Sequence, residues 1–152
     1  MKIHNRYIWT TVVAIILAFS LCIPMNASAA AIDPVQPMAS NYLDSYNTYI
    51  CPMGSGKLQI WYTVVGDDDM DYIGTMSIRL YESSDKTSWT LVKTFLHEDY
   101  PSMLAEDDYV HSSYVSYSGT AGKYYKAYVC IYAGIGNYGD TRYMWTPVER
   151  AT

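Results

Sequence analysis

Two histidines are the first candidates for chemistry in this sequence. His97 stands beside Glu98 and Asp99, and a histidine next to carboxylates can act as a general base or a metal ligand. His111 lies in an alternating segment typical of a strand, and the Gly-x-Ser-x-Gly pattern of hydrolases is absent. We therefore interpret His97 as part of a solvated loop and His111 as an exposed strand residue. We expect neither catalytic activity nor a cofactor.

Aspartates at alternate positions form a second candidate site. The carboxylates of Asp67, Asp69 and Asp71 have the spacing with which calcium loops surround a hard cation. An EF-hand also needs a central glycine and a later bidentate glutamate, and residues 72–74 do not supply that arrangement. We interpret the run as an acidic hairpin loop that aids solubility, with calcium binding as the weaker alternative.

Aromatic residues make up 15% of the chain, and 17 of them are tyrosines. Sheets favour tyrosine, whose ring can be buried while its hydroxyl stays hydrated, so packing accounts for most of them. Four aromatic residues instead fall on strand faces opposite the apolar one or at strand ends: Trp61, Tyr81, Tyr143 and Trp145. If they cluster, they form a platform for sugar rings or a protein partner; otherwise they belong to sheet packing.

Two cysteines, Cys51 and Cys130, follow the N-terminal segment. In an exported protein an even pair predicts one disulfide. Closing a loop of about 80 residues would stabilise the fold by roughly 4 kcal/mol. The alternative is two free, buried thiols that pack as small apolar side chains. A zinc site is disfavoured, because two isolated cysteines supply only half of its ligands.

The N-terminus has the three parts of a secretory signal peptide. Lys2 and Arg6 are followed by an apolar run over residues 8–23 and then by Ala27-Ser28-Ala29. The run of about 16 residues is shorter than the ~20 that span a bilayer, which disfavours a retained anchor. We expect residues 1–29 to be a signal peptide, cleaved after Ala29, and the protein to be secreted without a stable membrane anchor.

Cleavage would leave a distinctly acidic chain with eight basic and fifteen acidic residues, a net charge near −7. Such a chain lacks the positive surface that gathers phosphates, so nucleic acid and anionic lipid are poor partners. Prolines and a lack of periodicity indicate an extended segment over residues 30–41. Residues 42–152 then have the length of one domain with a single core.

Seven short strands are predicted in this domain, separated by turns rich in Gly, Asp and Ser. The clearest alternation spans residues 57–65, and no amphipathic helix is present. The full set is 45–51, 57–65, 73–82, 89–96, 109–117, 123–132 and 141–148. The sequence therefore predicts an all-β fold, an immunoglobulin-like antiparallel β-sandwich of about seven strands. A small closed barrel fits the same alternation and stays open as the alternative.

The start of the sixth predicted strand resembles that of immunoglobulin-like domains, in which a tyrosine corner precedes a cysteine. Residues 122–125, Gly-Lys-Tyr-Tyr, are followed by Cys130. Tyr124 and Cys130 are six residues apart, whereas the corner tyrosine and the cysteine of true immunoglobulin domains are two apart. The resemblance therefore concerns the architecture alone, and it does not predict a disulfide at the immunoglobulin position.

A wider resemblance involves the segments 78–81 (Ile-Arg-Leu-Tyr), 88–92 (Ser-Trp-Thr-Leu-Val) and 122–129 (Gly-Lys-Tyr-Tyr-Lys-Ala-Tyr-Val). In this order they are similar to a group of small uncharacterised secreted β-sandwich proteins of Gram-positive bacteria, catalogued as a domain of unknown function. The resemblance covers roughly residues 51–146. It implies a secreted β-sandwich and supplies no catalytic residue.

The leading functional hypothesis is a secreted, non-catalytic binding protein that recognises a glycan or an extracellular protein through surface aromatics. An exported antimicrobial or toxin-like protein is a second possibility, although the acidic charge opposes attraction to anionic membranes. A small secreted hydrolase is the third, supported by His97 and its neighbouring carboxylates alone.

Overall fold

The computed structural model describes residues 40–152, which form seven strands and one turn of 3₁₀ helix at Pro101–Met103. The strands are β1 (Leu43–Gly54), β2 (Lys57–Ser83), β3 (Thr90–Leu96), β4 (Leu104–Ser118), β5 (Tyr124–Ile135), β6 (Tyr138–Trp145) and β7 (Glu149–Arg150). The predicted signal peptide and all but the last two residues of the predicted extended segment lie outside the described residues.

Strand β2 is 27 residues long and runs through the whole sheet. The sequence predicts two strands here with an acidic loop between them, and this prediction is wrong, because the intervening residues remain in the strand. A register shift between Val65 and Met70 marks a bulge in which Met70 is buried. A Cβ on Gly66 would lie 2.8 Å from the Met70 side chain, so glycine makes this packing possible. The bulge bends β2 and increases its twist.

Every strand pairing is antiparallel. Strands β1 and β5 pair with successive parts of one edge of β2, and β4 and β3 pair with the other edge. Strands β6 and β7 both pair with β5. The predicted all-β antiparallel fold of seven strands is therefore confirmed. The predicted sandwich is not, because the continuous β2 joins the strands into one sheet curled as a half-barrel.

The core fills the inner side of this curl. Alternate residues of the two halves of β2 and of β5 point inward and pack in one cluster. They are Leu58, Ile60, Tyr62 and Val64, then Ile78 and Leu80, then Tyr125, Ala127, Val129, Ile131 and Ala133. Burying each large apolar side chain contributes about 1.5–3 kcal/mol. Because alternate residues of each strand point into the core, the residues between them point to the outer face of the sheet.

A tyrosine corner opens β5. The Tyr125 hydroxyl accepts a hydrogen bond from the Thr120 amide (2.8 Å) and donates one to Oε2 of Glu82 (2.5 Å). A Cβ on Gly119 would come within 2.8 Å of the Tyr125 ring, so this glycine leaves room for the corner. The resemblance to immunoglobulin-like domains predicts the corner at Tyr124. In the structure it is the next residue, Tyr125, that makes these bonds.

Candidate functional site

The outer side of β2, β5 and β6, together with the loop before β3, carries a set of aromatic and cationic side chains. Cross-strand partners point to the same side of a sheet. The register therefore aligns Arg79 with Tyr128 and Trp145, and Tyr81 with Lys126. We call this surface the aromatic face; its members are Arg79, Tyr81, Trp89, Lys126, Tyr128, Tyr143 and Trp145.

The rings of the aromatic face touch one another and remain open to solvent. The Trp145 ring centroid lies 5.4 Å from that of Tyr81 and 4.8 Å from that of Tyr128. Tyr128 stacks on Tyr143 at 5.6 Å with 12° between the ring planes. Tyr143 is 59% exposed and Trp145 is 47% exposed. Each ring is held by a neighbour, so the surface is formed before any ligand arrives.

Lys126 lies between two indole rings. Its Nζ is 4.3 Å from the Trp89 ring centroid and 4.5 Å from that of Trp145. The negative face of each indole attracts the ammonium group and holds it in place. Glu82 follows Tyr81 in sequence, but its carboxylate accepts the Tyr125 hydroxyl bond on the other side of the sheet. The ammonium group of Lys126 is thus surrounded by aromatic rings.

The loop between β2 and β3 positions Trp89. Oδ1 of Asp85 accepts hydrogen bonds from the amides of Thr87 (2.8 Å) and Ser88 (2.9 Å). The Trp89 indole in turn donates to the carbonyl of Lys86 at 3.1 Å. Hydrogen bonding to its charged form holds the pKa of Asp85 far below its ordinary value. The loop is therefore fixed from within.

Trp61 does not belong to the aromatic face. It lies on the outer side of β1, β2 and β4, between Tyr49 and Tyr114, with ring centroids 6.4 Å and 4.6 Å apart. We call Tyr49, Trp61 and Tyr114 the aromatic ladder. The structure thus brings together Tyr81, Tyr143 and Trp145 of the four predicted platform residues, and it places Trp61 in a separate group.

Sequence reasoning missed Trp89, Lys126 and Tyr128 as members of the aromatic face. Lys126 is the only charged residue within 124–132, on a strand whose two sides are otherwise apolar or aromatic. An isolated charge on such a strand could have drawn attention to this position. Its neighbours depend on the pairing of β2, β5 and β6, which the sequence does not give.

The predicted catalytic candidates lie elsewhere. His97 Nε2 is 3.3 Å from Oε1 of Glu98, and both residues border a groove of about 650 Å³ that Glu106 also lines. His111 Nε2 lies 2.9 Å from the Ser102 carbonyl oxygen. The first pair lies at the border of this groove, whereas the second contact ties β4 to the 3₁₀ turn.

The alternate aspartates are not gathered into a site. Asp67 and Asp69 are exposed on the β2 bulge, and Asp71 Oδ2 accepts a hydrogen bond from the Gly136 amide at 2.6 Å. Within residues 40–152, no three His, Cys, Asp or Glu side chains lie close enough together to hold a metal ion. The weak calcium candidate therefore has no support from the geometry.

The predicted disulfide is not formed, since Cys51 and Cys130 are both free thiols. Cys51 follows the buried Ile50 on β1, and Cys130 lies on β5 between Ser77 and Tyr143 of the neighbouring strands. Cys51 pairs with Gln59 in the first half of β2, and Cys130 pairs with Ser77 in its second half. The two thiols therefore point outward from different parts of the curl.

Comparison with protein-family models and with curated proteins finds no match to this chain. In the part of the chain that the structure describes, no helix is long and apolar enough to cross a membrane.

Proposed function

We propose that the protein is a secreted, non-catalytic protein that binds a glycan through the aromatic face. The observation that carries this proposal is the cluster of partly exposed rings at Tyr81, Tyr128, Tyr143 and Trp145. A sugar ring presents C–H groups that pack against the negative face of an aromatic ring. An exposed apolar patch of this kind on a small domain marks an interaction site.

A protein partner is the alternative occupant of the same surface. Protein interfaces depend on anchor side chains that fill well-packed pockets. The aromatic face offers rings side by side along a sheet, with neighbouring centroids 4.8–5.6 Å apart. A stacked row of sugar rings suits this shape better than an inserted side chain.

Affinity electrophoresis of the purified protein in gels that contain soluble polysaccharides tests the proposal. We expect at least one polysaccharide to retard the wild-type protein and Trp145→Ala to weaken that retardation about tenfold, because base stacking on one aromatic side chain is worth ~1–3 kcal/mol and sugar stacking is of similar kind. Tyr114→Ala, a matched change on the aromatic ladder, should bind as wild type. Equal binding by Trp145→Ala, or no retardation by any polysaccharide, would contradict the proposal.

Export is part of the same proposal, and it rests on the signal-like composition of residues 1–29. Expression of the full chain in a bacterial host with a general secretory pathway provides the test. N-terminal sequencing of the protein from the medium should begin at Ala30. Retention of the intact chain in the cells would argue against secretion.

We also infer that the half-barrel is built as a bent sandwich of immunoglobulin-like character. The two halves of β2 contribute to one core, with Ile60 and Tyr62 in the same cluster as Ile78 and Leu80. Strands that pass from one layer to the other through a bulge form the corners of such folds, and Tyr125 supplies a corner of the immunoglobulin type. A crystal structure in which β2 ends at residue 66 would contradict the bent strand.

A further inference from the structure

Charge is unevenly distributed over this protein. The described residues include fourteen acidic and eight basic side chains, and the register gathers ten carboxylates at the end where β2 bulges and β5 turns into β6. They are Asp67, Asp68, Asp69, Asp71, Glu98, Asp99, Glu106, Asp107, Asp108 and Asp140. The aromatic face carries Arg79 and Lys126 and no carboxylate, so it is a cationic surface on an acidic domain.

The two cations of this surface lie close together. Arg79 is opposite Tyr128, and Lys126 is opposite Tyr81, two residues along. Such diagonal positions are about 7–8 Å apart. Neither residue has an ion pair with a carboxylate among residues 40–152. Ring contacts fix Lys126 without neutralising it, because a cation over an indole keeps its full charge.

We propose that the ligand of the aromatic face is an acidic glycan, a chain of sugar rings that carry carboxylate groups. This inference rests on the proposed function and names its ligand class. The rings of the glycan stack on Tyr143 and Trp145. Its carboxylates accept charge-assisted hydrogen bonds from Lys126 and Arg79, which are stronger than bonds between neutral groups. The distant carboxylates repel the same ligand and confine it to this face.

The chemistry of the face favours an acidic glycan over a nucleic acid, the other anionic polymer with flat rings. Nucleic acid binding needs many basic groups along a groove to match the phosphates. Two cations on a domain with an excess of carboxylates do not provide them. Single-stranded DNA therefore serves as a competing probe in the test.

Calorimetric titration with an oligogalacturonate and with its fully methyl-esterified form separates charge from stacking. The two probes have the same rings, and only the first is charged. We expect the wild-type protein to bind the acid form about five- to tenfold more tightly, the size of one charge-assisted contact. Lys126→Met should reduce this preference and keep its affinity for the ester, since Arg79 remains to bind a carboxylate. Lys57→Met, a matched change outside the aromatic face, should behave as wild type.

Each other outcome is informative. Equal binding of acid and ester by the wild-type protein would overturn the acidic ligand and leave the proposed glycan function standing. Binding of neither form, with retardation by neutral polysaccharides in the electrophoresis test, would do the same. Binding of neither form without such retardation would overturn both. Single-stranded DNA that binds as tightly as the acid form would replace the glycan with a nucleic acid.

Discussion

The hydroxyl group of Tyr125 joins three separate parts of the chain: the start of β5, the turn before it at Thr120 and the end of β2 at Glu82. Burial of the ring, followed by the bond to the Glu82 carboxylate, raises the pKa of Tyr125 above its ordinary value. The hydroxyl therefore stays protonated and continues to donate its hydrogen bond across the physiological pH range.

Removing this hydroxyl should be costly. Tyr125→Phe leaves the Glu82 carboxylate and the Thr120 amide without this partner, and we expect the free energy of unfolding to fall by about 1–3 kcal/mol. Urea denaturation measures the change. Tyr124→Phe is the matched control, because the described contacts of Tyr124 are made by its ring; we expect a loss below about 0.5 kcal/mol. Equal losses in the two variants would argue against the corner.

The two thiols should differ in reactivity. Burial raises the pKa of Cys130, while hydrogen bonds to Tyr143 and Ser77 lower it by less. Cys130 is also only 8% exposed, whereas Cys51 is half-buried. Under non-reducing conditions at pH 8, mass spectrometry should show two alkylatable thiols in the native protein, with Cys51 modified first. A mass two hydrogens lower and no alkylation would instead show the disulfide.

At the scale of elements, the loop over residues 83–89 contains a hydrogen-bonded turn and leads directly to Trp89 of the aromatic face. Asp85 holds the turn, and the turn carries the Trp89 ring that packs on Lys126. A residue that touches no ligand can therefore position one that does.

Replacing Asp85 should impair binding without unfolding the protein. In Asp85→Ala the amides of Thr87 and Ser88 lose their acceptor, so Trp89 becomes mobile and its fluorescence anisotropy should fall. We expect glycan affinity to drop about three- to tenfold, since a loosened contact surface must be ordered again on binding. Asp85→Asn retains one acceptor oxygen and should lie between wild type and Asp85→Ala. Unchanged affinity in Asp85→Ala would exclude a positioning role.

The beginning of the described chain is fastened to β6 by Asp140. Its Oδ2 accepts bonds from the Ser40 hydroxyl (2.5 Å) and the Asn41 amide (2.8 Å). These hydrogen bonds hold the pKa of Asp140 below its ordinary value, and the bond from Ser40 has the largest effect. A lowered pKa means that the stabilisation is complete above the unfolded pKa of about 3.9 and is lost as pH falls through the folded pKa.

This contact predicts a measurable acid transition. Amide chemical shifts of Asn41 and Tyr42, followed by NMR from pH 6 to pH 2, should titrate with a midpoint below about 3.9. In Asp140→Asn the carboxylate is gone, and these shifts should no longer follow that transition. A midpoint at or above the ordinary aspartate value in the wild-type protein would contradict the fastening.

An element can be predicted from the sequence when the residues that determine it are close together in the chain. The alternation over residues 57–65 is local, and it predicts a strand that the structure confirms. The continuity of β2 through residues 67–71 cannot be predicted in this way, because aspartates disfavour strands locally while burial of Met70 depends on the rest of the core. Likewise the sequence predicts Tyr81 and Trp145 as surface aromatics, but their contact and that of Lys126 depend on the register between distant strands.

For the whole molecule, the concentration of ten carboxylates at one end has a cost. Like charges repel one another across the surface, and salt screens that repulsion over a Debye length of about 10 Å at 0.1 M. We expect the melting temperature to rise by a few degrees between 20 and 500 mM NaCl. Asp68→Asn should raise it at low salt and flatten the salt dependence. A melting temperature that falls with salt would show that attractive pairs dominate instead.

Strand β2 also determines how this chain can reach its fold. Four other strands pair with it, among them β4 and β5, which are synthesised long after it. The β1–β2 and β5–β6 hairpins close through short connections, but the pairings of β2 with β4 and β5 join residues far apart in sequence, which slows folding to milliseconds or longer. Until β5 arrives, one edge of the second half of β2 is exposed and open to pairing with another chain. The bulge that bends this edge also limits that risk, because a twisted edge is a poor template for intermolecular pairing.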